Sequence, residues 1–207
     1  MSGIIAQNVL DNSGLIKAPE GGGAWNFIKK LTASADSTLS FVNGASDVDL
    51  ATYKAYLFTF NQLHPADDNV KFTFNLSTDA GSNYNVAKQS TYAQSYHNEA
   101  GSTQANQYDN SADSTLSTSA TNLTNGCGND ADQTISGYLR IFDMSSSTYQ
   151  KHFMSQCNTA YHGDFSFFNF IGGYANTTSD VDAVQFAFSA GEIDSGDICL
   201  YGLSTSA

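Results

Sequence analysis

From Trp25 onward, apolar and polar residues alternate with a period of two, as in strands that bury one face. In Phe72-Thr73-Phe74-Asn75-Leu76-Ser77 the apolar positions fall on one side and the polar on the other. Val184-Gln185-Phe186-Ala187-Phe188-Ser189 repeats the pattern. Tyr56, Phe58 and Phe60 share a face, flanked by Leu57 and Thr59. Around 138–142 both sides are filled, with Tyr138, Arg140 and Phe142 opposite Leu139 and Ile141. Such a strand is buried on one side and suited to a covering partner on the other. Turn chemistry separates the runs at Asn43-Gly44, His64-Pro65-Ala66-Asp67-Asp68, Asp79-Ala80-Gly81-Ser82, Asn125-Gly126 and Ser195-Gly196. About nine or ten strands are expected, and no amphipathic helix longer than a turn or two. This predicts an all-β protein: an antiparallel β-sandwich, jelly-roll-like, over residues 24–207. No fixed repeat points to a solenoid or propeller.

Two segments break the alternation. Residues 1–23 hold the apolar positions Ile4, Ile5, Val9, Leu10, Leu15 and Ile16, then Pro19 and the run Gly21-Gly22-Gly23, a flexible joint. They read either as a frayed terminus or as an extended anchoring arm that orders on docking to a neighbouring subunit or scaffold. Residues 98–134 are rich in Ser, Thr, Asn, Ala and Gly, and are expected to project as long loops or a weak hairpin. They are either recognition loops or tolerated surface insertions.

Composition strengthens the β reading. Apolar residues make up 41% of the 207-residue chain and aromatics 13%, whereas charged residues are only 14%. The straight-chain charged residues that coat exposed helices are scarce, and the aromatics that suit pleated surfaces are abundant. Eight Lys plus Arg against twenty Asp plus Glu give a net charge of −12. Nucleic acid is thereby excluded as an expected partner, since phosphate binding needs clustered cations. An anionic membrane is excluded for the same reason, and no stretch approaches the roughly 20 apolar residues of a membrane span. Three cysteines, Cys127, Cys157 and Cys199, do not make a disulfide framework. Ile4–Leu10 lacks a preceding basic region and is interrupted by Gln7 and Asn8, so a secretory signal is not expected. The expected folding compartment is a reducing cytoplasm.

Candidate chemistry is sparse. His152-x4-Cys157-x4-His162 resembles a ligand spacing, but on one strand Cys157 faces away from both histidines. The histidines would also stand roughly 30 Å apart, so no zinc site is expected. His97 and Glu99 have same-face spacing on a strand, but no nucleophile or oxyanion motif adjoins them, and no catalytic residues are expected. Asp47/Asp49, Asp67/Asp68 and Asp130/Asp132 are loop carboxylates open to calcium, without EF-hand spacing. No cofactor is expected. Trp25, the only tryptophan, is expected in the core. The aromatic stretch holding Tyr161, Phe165, Phe167, Phe168 and Phe170 is expected to be mostly core, and it is also a candidate subunit interface.

Several phrases resemble small β-rich virion structural proteins of tailed bacteriophages, notably those of aquatic hosts. They are Gly23-Ala24-Trp25-Asn26-Phe27-Ile28, Tyr56-x-Phe58-x-Phe60 leading to His64-Pro65-Ala66-Asp67-Asp68, and Ser77-Thr78-Asp79-x-Gly81-Ser82-Asn83-Tyr84. Near the end come Gly172-Gly173-Tyr174, Thr177-Thr178, Asp182-Ala183-Val184-Gln185-Phe186 and Gly191-x-Ile193-x-Ser195-Gly196-x-Ile198-x-Leu200-Tyr201-Gly202. The resemblance is one of texture over most of 23–203, without an invariant chemical motif. It implies a non-enzymatic tail-fibre or capsid-decoration component, probing no substrate, assembled in the host cytoplasm and carried on the virion. It further implies a homotrimer and contacts with other capsid or tail proteins through residues 1–23. A second candidate role is a receptor-binding module that recognises host-surface glycans through the 98–134 loops.

Overall fold

The computed structural model describes residues 25–204. They form twelve strands: β1 (Trp25–Asp36), β2 (Leu39–Val42), β3 (Ala55–Pro65), β4 (Phe72–Ser77), β5 (Lys88–Asn98), β6 (Gln104–Tyr108), β7 (Thr121–Asn122), β8 (Ile135–Phe142), β9 (Lys151–Tyr161), β10 (Phe165–Ala175), β11 (Ala183–Phe188) and β12 (Ile193–Leu203). No helix occurs among the described residues. The expected arm, with Ile4, Ile5, Val9, Leu10, Leu15 and Ile16, lies outside them.

The strands make two antiparallel sheets. One has the order β1-β12-β3-β8-β9-β10-β5-β6, the other β2-β11-β4-β7. Eight strands are nested, the early half of the chain pairing with the late half: β1 with β12, β2 with β11, β3 with β8, and β4 with β7. The β5-β6 and β9-β10 hairpins are inserted into this scheme and widen the first sheet beyond β8.

The sheets pack through the apolar faces that the alternation marked out. Tyr56 and Phe58 on β3 are wholly buried, and Phe60 is nearly so. Phe58 meets Phe41 of β2 and Phe186 of β11 at ring-centroid distances of 5.4 and 5.3 Å. Phe60 meets Phe72 of β4 at 5.0 Å, edge to face, and Phe74 meets Phe153 of β9 at 5.1 Å. Each buried phenylalanine stabilises the fold by roughly 1.5–3 kcal/mol through area alone. The edge-to-face geometry adds to this because ring edges are positive and faces negative.

Residues 98–134 do not project as expected. The tract supplies the edge strand β6, and several of its residues between 112 and 128 are buried against the inner face of the sheet extension. Ser90 and Ser114 exchange hydrogen bonds, Ser90 N–H to Ser114 O at 2.9 Å and Ser114 N–H to Ser90 Oγ at 2.9 Å. Asn125 Nδ2 donates to Gln94 Oε1 at 3.0 Å. The sheet's own inner face is polar here, with Ser90, Gln94, Ser155, Thr159 and Asn169 all buried. A Ser/Thr/Asn-rich segment can therefore satisfy this face, where an apolar one would leave donors and acceptors unpaired. The composition that suggests a solvated loop instead suits a hydrogen-bonded interior. The extra strands β6 and β7 also fall in this tract, which explains the excess over the expected number.

Two further expectations change. Ser195-Gly196 is not a turn but lies inside β12, where the register with β3 shifts. Gly196 has φ +112°, and a Cβ there would lie 2.5 Å from Gln62 O, so the bulge requires glycine. Trp25 is half-buried at the start of β1, not in the core. It lies on the outward side of the large sheet, beneath the Arg140 guanidinium at 5.3 Å from the ring centroid.

Candidate functional site

The outward faces of the two sheets differ in chemistry. On the four-stranded sheet, Ser40, Thr73 and Gln185 point outward and are tied by hydrogen bonds. Gln185 Nε2 donates to Ser40 Oγ at 3.2 Å, and Thr73 Oγ1 donates to Ala187 O at 2.9 Å. On the eight-stranded sheet, two adjacent rows of register partners carry much of the exposed apolar surface. The first runs Phe27, Tyr201, Leu57, Arg140, Met154 from β1 to β9. The second runs Cys199, Thr59, Tyr138, Gln156, Phe170, Ala93, Tyr108 from β12 to β6.

Phe27 is 60% exposed, Met154 57% and Tyr108 54%. Phe168 and Phe170, each 37% exposed, pack edge to face on β10 with centroids 4.3 Å apart. The Nε of Arg140, whose guanidinium lies over the Trp25 ring, is buried without a hydrogen-bond partner. The strand 138–142 has the two-sided character that its sequence predicts: Leu139 and Ile141 are buried, whereas Tyr138, Arg140 and Phe142 are half-buried outside.

The aromatic stretch 161–170 divides in two. Phe168 and Phe170 join the outer face. Tyr161, Phe165 and Phe167 point the other way and cluster with Tyr96; the Tyr96 and Phe167 rings stack at 4.7 Å, and Tyr161 lies 4.6 Å from Phe167. Period-2 geometry accounts for the division, because 165 and 167 share one face and 168 and 170 the other. Phe27, Met154 and Tyr108 were not singled out from the sequence. They stand on strands far apart in the chain, and only the cross-strand register brings them onto one face.

A second feature lies at the end of the sandwich near the β9-β10 turn. Three shallow depressions of about 290, 360 and 400 Å³ adjoin one another. Glu99, Ala160 and Phe165 line both of the first two, and Asp132 lines both of the last two. Polar side chains predominate: His97, Asn158, Gln133, Asn61, Gln62, His64 and Asp197 among them. His97 and Glu99 line the same depression, but β5 ends at Asn98. Glu99 sits in the turn, its N–H donating to Asp164 O at 3.0 Å. The same-face strand spacing expected of the pair is therefore not built.

The other sequence candidates stay apart. His152 is exposed on β9, Cys157 is buried on its opposite face, and His162 lies past the strand end. Asp49 Oδ1 accepts from the N–H groups of Ala51 and Thr52, so this loop carboxylate caps backbone. Among the described residues, no group of three or more His, Cys, Asp or Glu converges to hold a metal ion.

Compared with known protein families, with curated proteins and with solved structures, the chain matches none.

Proposed function

We propose that this chain is a non-enzymatic structural component of a bacteriophage particle, a surface-decoration or fibre-like protein that assembles with copies of itself. The observation that carries this reading is the outward face of the eight-stranded sheet. It groups Phe27, Met154, Phe168, Phe170 and Tyr108 across most of the sheet's width, beside an Arg140 nitrogen left unpartnered. Aromatic residues, Met and Arg are the types enriched in protein contacts, while the opposite outward face is polar and internally satisfied. The nested strand order supports reading the sandwich as a jelly roll with two inserted hairpins, an architecture common in viral capsid proteins. The phage setting itself rests on the sequence resemblance. In this reading residues 1–23 dock the domain on capsid or tail proteins, and the outer face joins subunits, a homotrimer being the expected assembly. The virion, assembled in the host cytoplasm, is then the site of action.

Sedimentation of the purified chain tests the assembly. Wild type should sediment as a trimer, and Phe170→Asp with Met154→Asp should sediment as a folded monomer. A wild-type monomer at micromolar concentration would remove the self-assembly reading. Immunogold electron microscopy of phage particles carrying this chain tests the setting, since an unlabelled particle contradicts it.

A second reading, a receptor-binding module for host-surface glycans, is favoured by the polar depressions at the end of the sandwich. Their amide, hydroxyl and carboxylate groups suit sugar hydroxyls. Binding on a glycan array, abolished by Asn61→Ala with Asp132→Ala, is the outcome this reading requires.

A further inference from the structure

Lys88 opens β5 in the eight-stranded sheet, and its side chain is wholly buried. Its Nζ lies 2.5 Å from Oδ1 of Asn75 on β4, in the other sheet, and 2.9 Å from Val86 O. No carboxylate accepts from this amine in the contacts it makes, so the usual partner of a buried lysine is replaced by a carboxamide. The carboxamide is itself clamped. Its Nδ2 donates to Tyr84 O at 2.6 Å and to Thr118 O at 3.1 Å, and its Oδ1 also accepts from Leu76 N–H at 3.0 Å.

The geometry points to an intramolecular isopeptide bond between Lys88 Nζ and Asn75 Cγ, formed with loss of ammonia and joining the two sheets covalently. In the step, the lone pair of the neutral amine attacks Cγ, and negative charge collects on Oδ1, where the Leu76 N–H donates. One proton passes from Nζ to Nδ2. The Cγ–Nδ2 bond then breaks, and ammonia leaves from between the carbonyls of Tyr84 and Thr118. An amine and a primary amide become a secondary amide and ammonia, so no oxidant or other reactant is needed. A held nucleophile and electrophile react with the advantage of an intramolecular pair. Burial favours the neutral, nucleophilic amine and lowers the Lys88 pKa to about 8. Lys151 likewise has no exposed surface but donates to the backbone carbonyls of Ser146, Tyr149 and Thr177. None of these can release ammonia, so Lys151 serves as an internal control.

Intact-mass spectrometry of the purified full chain, incubated at a pH above 8, tests the bond. The expected result is a progressive shift to a species lighter by one ammonia. Proteolysis should then yield a branched peptide joining the segments around Asn75 and Lys88. Lys88→Arg and Asn75→Ala should keep the full sequence mass, while Lys151→Arg should still lose ammonia. Wild-type protein that is folded and retains its full mass after prolonged incubation overturns the inference. So does an ammonia loss that maps as a succinimide to Asn43-Gly44 or Asn125-Gly126.

Discussion

Phe186 shows how much of this protein rests on single side chains. Its ring lies between 5.3 and 6.3 Å from those of Phe41, Phe58, Phe60 and Phe72, drawing on both sheets. Phe186→Ala should cost about 3–5 kcal/mol, because the surrounding rings cannot all collapse into the space left. Urea unfolding followed by fluorescence would measure this. The cysteines make a different point at the same scale. Burial pushes the thiols of Cys127 and Cys157 up to about 12 from an ordinary value of 9.0. Between these values the unfolded chain has lost thiol protons that the native chain keeps. The contribution is thus fully present below 9 and declines as pH rises toward 12. Stability should fall across that window, more gently in Cys157→Ala, and a thiol reagent should modify these two positions only when urea unfolds the chain. Residue-scale features were partly legible in the sequence. Phe58, Phe60, Phe72, Phe74 and Phe186 stand at buried positions that alternation alone marks. The half-buried place of Trp25 was not legible, since it depends on Arg140, far away in the chain.

At the scale of elements, β10 gives the sharpest test, because Gly172 and Gly173 are neighbours on opposite faces. A Cβ on Gly173 would lie 2.2 Å from Gln89 O and 2.7 Å from Phe153 Cζ. A Cβ on Gly172 would meet only Thr91 Oγ1, at 3.8 Å, on the outer face. Gly173→Ala should therefore destabilise by about 1–3 kcal/mol through overpacking, while Gly172→Ala stays near neutral. Paired thermal melts would show the difference. Strand identity was readable at this scale because alternation is local: Phe72–Ser77 appears in the structure with the bounds its pattern suggests. Segment 109–134 was misread because sequence polarity cannot distinguish a solvated loop from one that satisfies a buried polar face. Tyr92 and Asn169, hydrogen-bonded at 2.7 Å on that face, are neighbours across β5 and β10, not along the chain.

For the whole molecule, β1 begins at Trp25, so removing residues 1–22 deletes none of the twelve strands. If those residues dock the domain, the truncated chain should unfold at the wild-type urea midpoint yet fail to enter particles. Western blotting of purified particles would check incorporation, and normal incorporation would sink the docking role.

What the sequence determined by itself was the all-β class, the faces of its clearest strands and the scarcity of cations. These follow from residue type and local period, with no reference to distant chain. The tertiary structure decided how the strands nest, so that β1 lies beside β12 and β2 beside β11. That nesting gathers scattered apolar residues into one outward face. Such meetings arise from register between segments remote in sequence, and a period of two carries no information about which segment lies alongside.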